Sequence, residues 1–241
     1  MMQDYTFTPI GYIASCFKER FGIPRQPGLV PEARAELKIL PPFDDPLAFR
    51  GLPDYSHVWL VFAFHAGVQK PWRPTVRPPR LGGNRRVGVF ASRSPYRPNP
   101  IGLSLVRLER LELERGVRLQ LSGIDLLDGT PVLDIKPYLP YAESIPGADA
   151  AYAAEPPRSS RTVTFDPAAR AVLDRLPPEQ ADHLGRLIRG VLEQDPRPGY
   201  RRGAAEQRGY GMRLLDFDLR WRVEEHATIV THLEFCEEGE G

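Results

Sequence analysis

The sequence has few of the residues that build disulfide frameworks or metal clusters. Among its 241 residues only two are cysteines, Cys16 and Cys236, and five are histidines. Two cysteines give no disulfide pattern and cannot form a metal framework, and no group of His and Cys has the spacing of a zinc site. A low cysteine count is typical of proteins from a reducing compartment. We therefore predict a cytoplasmic protein without a metal site.

Long apolar segments and the common nucleotide-binding motifs are also missing. The longest apolar run covers residues 58–64, well short of the roughly 20 residues that span a bilayer. The first residues lack the basic and apolar parts of a signal peptide. No Gly-x-Gly-x-x-Gly loop, Walker loop or Gly-x-Ser-x-Gly elbow occurs. Their absence argues against a Rossmann domain, a P-loop enzyme and an α/β-hydrolase.

Proline, in contrast, is abundant, with 26 residues, roughly twice the usual frequency. Because helix interiors tolerate proline poorly, we predict that the proline-rich first half consists of strands and ordered loops. Short apolar runs bounded by Gly or Pro predict strands at residues 7–13, 35–40, 57–64, 87–91, 102–106, 117–121 and 132–135. Six or seven short strands without helices between them predict a mainly β fold, a closed or nearly closed antiparallel β-barrel.

The periodicity changes after an Ala-, Pro- and Ser-rich stretch at residues 147–160. Asp166 followed by Pro167 is a helix start, which predicts a helix to about residue 176. A second helix is predicted at residues 178–193, and alternating apolar residues predict two strands after it. We therefore predict three parts: a β-barrel domain at 1–148, a linker at 149–160 and a small α+β domain at 161–241.

Acidic residues are absent from residues 55–108, which we call the acid-free segment. Its nine basic residues are interleaved with aromatic ones; they are Lys70, Arg73, Arg77, Arg80, Arg85, Arg86, Arg93, Arg97 and Arg107. Arginine matches phosphate and stacks on bases, so this composition favours a nucleic-acid surface. The alternative is a solvated basic face whose arginines pair with acids elsewhere in the fold. A second basic cluster, in the C-terminal part, includes Arg201 and Arg202.

Several Pro- and Gly-rich segments carry polar residues that core packing does not explain. They are the loop at residues 24–28, His65 at the end of an apolar strand, the loop at 92–102 and the turn at 124–130. Stiff loops of this kind present polar groups at little entropic cost, which favours binding. The alternatives are a structural role for His65 and a plain Asp-Gly hairpin for the turn.

Some longer motifs are specific enough to compare with known families. They are PRQPGLV from Pro24, RGLPDYSHVW from Arg50, RPTVRPPRLGGN from Arg73, RSPYRPNPIG from Arg93, DGTPVLDIKPYLPYAES from Asp128, QDPRPGYRRG from Gln194 and DFDLRWRV from Asp216. Together they resemble the TsaA-like family, also called YaeB or TrmO, over nearly the whole chain. The resemblance implies a β-barrel methyltransferase, unlike the Rossmann class, that works as a homodimer with its cofactor near the subunit interface. It also implies methyl transfer from S-adenosylmethionine to N6 of threonylcarbamoyladenosine in tRNA, directly 3′ of the anticodon.

The resemblance further implies a set of cofactor-binding residues, carried over where the local motif is intact. They are Pro24, Arg25, Gln26, His65, Ala66, Arg93, Leu103, Asp125, Leu126, Leu127 and Asp128. These residue types suit the ligand, because a methionine carboxylate needs arginine or backbone donors and a ribose needs a carboxylate or an amide. Adenine needs an apolar slot. In the family, the C-terminal domain helps to engage tRNA.

Asp134, Lys136 and Tyr138 are the candidates for the chemical step. The two-residue side-chain period of an extended segment brings all three to one face. The acceptor N6 is a poor nucleophile until its proton leaves, so we expect Asp134 to accept that proton. Lys136 and Tyr138 would orient the base or stabilise developing negative charge. His65 is the alternative proton acceptor.

Arginines are also expected to bind the substrate. We expect Arg97 with Asn99 to receive the threonyl carboxylate. Contacts with tRNA are expected from Arg73, Arg77, Arg201 and Arg202. Two other functions stay open: a non-catalytic RNA-binding protein that senses S-adenosylmethionine, and a hydrolase of a modified nucleotide that uses His65 and an aspartate.

Overall fold

Six strands of the N-terminal half close into a barrel. The computed structural model describes residues 4–66, 72–156, 161–197 and 206–236. Within these ranges the N-terminal strands are β1 (Gly11–Ser15), β2 (Arg34–Ile39), β3 (His57–Ala63), β4 (Thr75–Val76), β5 (Val87–Gly88), β6 (Ile101–Glu112), β7 (Arg118–Ser122) and β8 (Pro131–Pro137). The barrel order is β1-β2-β7-β6-β3-β8, and every neighbouring pair is antiparallel. The predicted antiparallel barrel is confirmed.

Alternating apolar side chains fill the barrel. On β3, the buried residues Val58, Leu60 and Phe62 alternate with half-buried ones, following the two-residue period of a strand. Gly102 on β6 pairs with Phe62, and a Cβ at residue 102 would lie 2.2 Å from the Phe62 Cζ atom. A glycine at this position therefore lets the phenyl ring occupy the barrel interior.

The strand predicted at 102–106 extends to Glu112 as β6, and two other predicted strands differ more from the observed ones. Only Val87 and Gly88 of the run at 87–91 form a strand, and β5 pairs with β4 outside the barrel. Val89–Ala91 form a 3-10 turn in which Val89 is buried and Phe90 is exposed. A short apolar run such as this one is compatible with either a strand or a turn that buries a single side chain, so the sequence pattern did not distinguish the two. Residues 7–10, predicted to begin the first strand, precede β1.

The C-terminal part combines two helices with a four-stranded sheet. After a short helix α1 (Pro140–Glu143), its elements are β9 (Thr162–Phe165), α2 (Pro167–Leu173), α3 (Pro178–Glu193), β10 (Glu206–Leu214), β11 (Phe217–Val223) and β12 (Ala227–Phe235). The sheet order is β10-β11-β12-β9, with β9 parallel to β12. Asp166 caps α2 by accepting a hydrogen bond from Ala169 N at 3.0 Å. The predicted α+β fold is confirmed, although α2 ends earlier than predicted.

The connection between β1 and β2, residues 16–33, lies against the C-terminal sheet. Phe17 forms a β-bridge with Leu214 at the end of β10. The Phe21 ring stacks on Trp221 of β11, with ring centroids 5.8 Å apart. Buried residues of both parts form one continuous core. The position of this connection therefore depends on both parts of the chain.

Two kinds of feature are absent from the described ranges. No helix in them is long and apolar enough to cross a membrane. No group of three or more His, Cys, Asp and Glu side chains among the same residues could hold a metal ion.

Candidate functional site

Segments that are far apart in the sequence meet at one end of the barrel. The ends of β1, β3 and β7 lie there, together with the beginnings of β2, β6 and β8. Gly28 N donates a hydrogen bond to Gly123 O at 2.8 Å, and a Cβ at Gly129 would lie 3.9 Å from His65 Nε2. Loops from the first and second thirds of the chain therefore border one space. We define the barrel-end site by Gln26, His65, Arg93, Ser104 and Asp125.

Arg93 joins two of the predicted cofactor segments. Its Nη1 donates a hydrogen bond to Gln26 Oε1 at 2.5 Å, which ties the loop at residues 92–102 to the β1–β2 connection. Pro24 is buried, whereas Arg25 is exposed beside Gln26. The structure thus brings the cofactor residues predicted in the loop at residues 24–28 together with Arg93, which was predicted in the loop at residues 92–102.

Asp125 contributes a largely buried carboxyl group. Ser104 Oγ, on β6, donates a hydrogen bond to Asp125 Oδ1, and Ser104 is completely buried. Burial raises the pKa of Asp125 from 3.8 to about 6, while the Ser104 hydrogen bond and the positive charge of Arg93 oppose this rise. A carboxyl group whose pKa is shifted by burial next to a charged partner is typical of functional sites.

Asp128, at the other end of the same turn, is held by the scaffold. Ser15 N donates a hydrogen bond to Asp128 Oδ1 at 2.7 Å, and Lys18 Nζ lies 3.2 Å from Asp128 Oδ2. Leu126 is buried, and Leu127 O accepts a hydrogen bond from Thr130 Oγ1 at 2.6 Å. Of the two carboxylates in the turn, the one on Asp128 therefore fastens the turn to β1.

A β-bulge in β8 turns Asp134 to the outer face of the barrel. Phe62 pairs with Val132, but the preceding residue Val61 pairs with Asp134, so Leu133 has no partner on β3. Phe62 and Val132 are buried in the barrel, whereas Val61 and Asp134 are partly exposed. Without the extra residue, the two-residue period would direct Asp134 into the barrel together with Val132.

Leu103 also faces outwards, on the same outer face of the barrel as Asp134. Leu103 pairs with Val61, and Val61 pairs with Asp134. Neighbouring strands lie ~4.8 Å apart, so Leu103 and Asp134 are separated by roughly 10 Å across β3. Leu103 is 57% exposed, whereas the next residue, Ser104, is completely buried. The predicted cofactor residues therefore lie on two sides of β6, with Asp125 inside and Leu103 outside.

The three predicted catalytic residues share this outer face. Lys136 Nζ lies 2.8 Å from Asp134 Oδ2, and this hydrogen bond raises the pKa of Lys136. Asp134 Oδ1 accepts a hydrogen bond from Ile135 N at 2.8 Å. Tyr138 packs edge-on against Trp59, with ring centroids 6.3 Å apart. Asp134 is thus paired with Lys136, Tyr138 lies further along the same face against Trp59, and both oxygens of Asp134 already accept a hydrogen bond.

Comparisons with known proteins identify the family. Residues 12–144 match the model of the tRNA-methyltransferase O N-terminal domain, and residues 158–235 match that of the TrmO C-terminal domain. The chain belongs to the TrmO family. It is 49% identical over 234 residues to a tRNA (adenine(37)-N6)-methyltransferase of Escherichia coli, an alignment that covers 97% of this chain and 99% of the relative.

Solved structures and a more distant relative agree with this membership of the TrmO family. A crystal structure of TrmO from Pseudomonas aeruginosa matches with a TM-score of 0.79 and 42% identity, over 96% of this chain and 99% of that one. A tRNA (adenine(37)-N6)-methyltransferase of Homo sapiens is 48% identical over 133 residues, which are 54% of this chain and 29% of that protein.

Arg97 of this TrmO-family chain is engaged by its own loop. Its Nη1 donates hydrogen bonds to Ser92 O at 2.8 Å and to Val89 O at 3.5 Å. Its guanidinium lies over the exposed Phe90 ring, 5.7 Å from the ring centroid. Asn99, its predicted partner, is exposed. If Arg97 binds the substrate, it therefore has to do so through Nε and Nη2.

The acid-free segment presents exposed arginines. Among the described residues, Arg73, Arg77, Arg80, Arg85 and Arg86 are exposed, and none of them forms an ion pair with another described residue. This arrangement favours an open basic surface over arginines paired with acids elsewhere in the fold. The remaining predicted tRNA contacts, Arg201 and Arg202, lie outside the described residues.

Two residues of this TrmO-family fold, Ser104 and Glu143, support the predicted ones but were not predicted from the sequence. Ser104 could have been found as the polar member of an inward-facing row that includes Val106. Glu143 accepts hydrogen bonds from Trp59 Nε1 at 3.0 Å and from Leu139 N at 2.8 Å. It thereby fastens α1 to the outer face of the barrel, and no local pattern indicates this long-range contact.

Proposed function

We propose that this protein transfers a methyl group from S-adenosylmethionine to N6 of threonylcarbamoyladenosine next to the anticodon of tRNA. The observation that carries the proposal is the barrel-end site, in a chain that is 49% identical to a tRNA (adenine(37)-N6)-methyltransferase. The site combines a largely buried carboxyl group with arginine and amide side chains. These are the polar groups that a cofactor with a ribose and an amino-acid carboxylate needs.

The barrel-end site fits S-adenosylmethionine, which supplies an electrophilic methyl group on a sulfonium sulfur when bound. The Asp125 carboxylate accepts a hydrogen bond from a hydroxyl group rather than from a cationic side chain. Hydrogen-bond donors of a ligand would therefore compensate the desolvation of this carboxylate. Arg25 and Arg93 would hold the carboxylate of the amino-acid portion. Gln26 and the segment around His65 would line the remaining sides. Because Arg93 is already bonded to Gln26, little ordering is needed on binding.

Asp134 is the proposed proton acceptor for N6. Its side chain is 48% exposed, so a substrate base can approach it. The Lys136 ammonium stabilises the carboxylate and would compensate negative charge that develops on the purine. His65 is the alternative acceptor, at the barrel end. Single-turnover rates of Asp134→Asn and His65→Gln separate the two. Replacing the true proton acceptor should lower the rate of methyl transfer and leave the affinity of the protein for the cofactor unchanged.

The exposed arginines of the acid-free segment are the proposed tRNA surface, and Arg97 with Asn99 the proposed receptor of the threonyl carboxylate. Arg97 is half-buried, so without the carboxylate it would keep part of a desolvation penalty, and tRNA that lacks the threonylcarbamoyl group should be a poor substrate. Arg97→Ala should slow single-turnover methylation of the modified tRNA. Arg110→Ala is the matched control, because Arg110 is exposed and paired with Glu112 outside this segment. Equal wild-type rates on both tRNAs would refute the carboxylate receptor.

The protein is further proposed to act as a homodimer whose cofactor sites are completed across the interface. Leu103 and Asp125 lie on opposite sides of β6, so one chain cannot direct both side chains at one small ligand. Leu103, 57% exposed, and Ile101, 36% exposed, form an apolar strip suited to a second copy of the chain. Sedimentation should give a dimer. Mixing Leu103→Ala with Asp125→Asn subunits should restore cofactor sites that neither variant has alone; a monomer would contradict the proposal.

One assay separates the proposed function from its rivals. Purified protein is incubated with S-adenosylmethionine labelled in the methyl group and with tRNA that carries the threonylcarbamoyl group but not the methyl group. Label in the tRNA supports the methyltransferase. Cofactor binding without transfer would support a sensor, and loss of the threonylcarbamoyl group would support a hydrolase.

A further inference from the structure

Ser104 is a buried polar residue in an otherwise apolar row. On β6 the inward-facing positions around it are held by Gly102, Val106 and Leu108, and Ser104 itself is completely buried. A buried hydroxyl is destabilising unless it is hydrogen-bonded, and an alanine would fill the same space without that requirement. The serine therefore calls for a reason other than packing.

That reason is found across the barrel end. Ser104 Oγ donates a hydrogen bond to Asp125 Oδ1. Asp125 follows the end of β7, in the stretch where β6 is no longer paired with β7. The hydrogen bond therefore bridges a gap in the sheet that backbone hydrogen bonds leave open. Arg93 is the charged group whose field acts on Asp125, and Arg93 is in turn bonded to Gln26.

We propose that Ser104 is a positioning residue of the cofactor site, which holds one oxygen of Asp125 so that the other oxygen faces the ligand. The inference rests on the proposed function, because it assumes that Asp125 binds the cofactor. A carboxylate bonded through one oxygen loses its rotational freedom before the ligand arrives. The hydroxyl also favours the ionised form, which is the form that accepts hydrogen bonds from a ligand.

A purely structural role for Ser104 would make different predictions. It would change the stability of the barrel but leave the pH dependence of cofactor binding where it is. A positioning role couples the two, because removing a hydrogen bond to the ionised carboxylate moves the titration of Asp125 to higher pH. The pH profile of cofactor affinity is therefore the measurement that separates them.

The experiment is calorimetric titration of the full-length protein with S-adenosylmethionine between pH 5 and pH 8. Wild type, Ser104→Ala, Ser104→Cys and Asp125→Asn are compared. Ser104→Ala should bind about 10-fold more weakly at neutral pH, and the midpoint of its pH profile should move up by about one unit. Ser104→Cys should lie between wild type and alanine, since a thiol is a weaker donor of similar size. If the alanine variant fails to fold, an affinity and a pH midpoint of Ser104→Cys that differ from wild type in the same direction still test the proposal.

Ser122→Ala is the matched control. Ser122, on β7, is also buried, and its Oγ donates a hydrogen bond to a carboxylate oxygen of Glu109 at 2.5 Å. This variant should lose stability but keep the wild-type affinity and pH profile. His65 is present in every variant, so differences between the variants report on Asp125.

The possible outcomes distinguish this inference from the proposed function. A wild-type profile for Ser104→Ala, together with a flat profile for Asp125→Asn, would overturn the role of Ser104 and leave the proposed function intact. The same shift in Ser122→Ala would overturn it as well. Wild-type binding by Asp125→Asn would remove Asp125 from the cofactor site, and the role of Ser104 with it. Failure of the wild-type protein to bind S-adenosylmethionine would overturn both proposals.

Discussion

The substitution Gly22→Ala tests whether the C-terminal sheet holds the β1–β2 connection in place. Gly22 has a φ angle of +91°, and a Cβ there would lie 2.3 Å from Met212 Sδ on β10. Met212 is 3% exposed, so its side chain has little room to move away. Alanine at this position therefore introduces both backbone strain and overpacking.

The two costs can be estimated separately. A non-glycine residue in the left-handed region costs roughly 1–2 kcal/mol. Overpacking a buried site typically adds ~1–3 kcal/mol. Gly116→Ala is the matched control, because Gly116 has a φ angle of +83° and nothing within 4 Å of its added Cβ. We expect Gly116→Ala to lower the free energy of unfolding by the strain alone and Gly22→Ala to lower it by both costs.

Thermal unfolding measures the difference. For a chain of this size, 1 kcal/mol corresponds to about 2–4 °C in Tm, so Gly22→Ala should unfold several degrees below Gly116→Ala. Pro24 lies in the same connection, so Gly22→Ala should also weaken S-adenosylmethionine binding, whereas Gly116→Ala should not. Combining Gly22→Ala with Met212→Ala should remove the overpacking part in a double-mutant cycle. Equal Tm values for the two glycine variants would refute the idea that this close contact holds the connection.

Three further predictions follow from the described contacts. The folded-state pKa of Asp125, about 6, lies above its unfolded value of 3.8, so its contribution to the free energy of unfolding is fully present below pH 3.8 and is lost as the pH rises through about 6. In denaturant titrations, the free energies of unfolding of wild type and Asp125→Asn should therefore converge at acid pH, and a constant difference between them at every pH would contradict this. Arg25→Ala and Arg93→Ala should leave the circular dichroism spectrum unchanged but each weaken cofactor binding by ~1.5–3 kcal/mol, and wild-type calorimetric affinity in both variants would remove them from the site. Binding of tRNA should weaken steeply between low and moderate salt, because arginine–phosphate contacts release counterions; an affinity independent of salt would argue against the arginines of the acid-free segment.

Local patterns predicted most of the secondary structure. The bounds of α3 follow from its apolar spacing, and the capping of α2 by Asp166 follows from an aspartate before a proline. The strand β3 follows from a short apolar run, and β7 follows from alternation with a period of two. In each case the pattern lies within one helix or strand, so the element can be predicted without knowing which residues pack against it.

Only part of the candidate site could be predicted from the sequence. The family resemblance and the polar loops pointed to Gln26, Arg93 and Asp125, and the structure brings them to one end of the barrel. Neither source indicated that Arg93 bonds to Gln26 or that Ser104 bonds to Asp125. These pairs are separated by 67 and 21 residues, and no local periodicity relates residues that far apart.

The sequence alone therefore determined the barrel class, the helices and the residue types of the site, because each depends on neighbours along the chain. The tertiary structure decided which way those residues face. A single unpaired residue, Leu133, directs Asp134 to the outer face, and the contact of Asp125 with the inward-facing Ser104 places it on the opposite side of β6 from Leu103. One bulge reverses the side of every following residue in a strand, so the orientation of a side chain depends on strand register, which is set by contacts between distant segments.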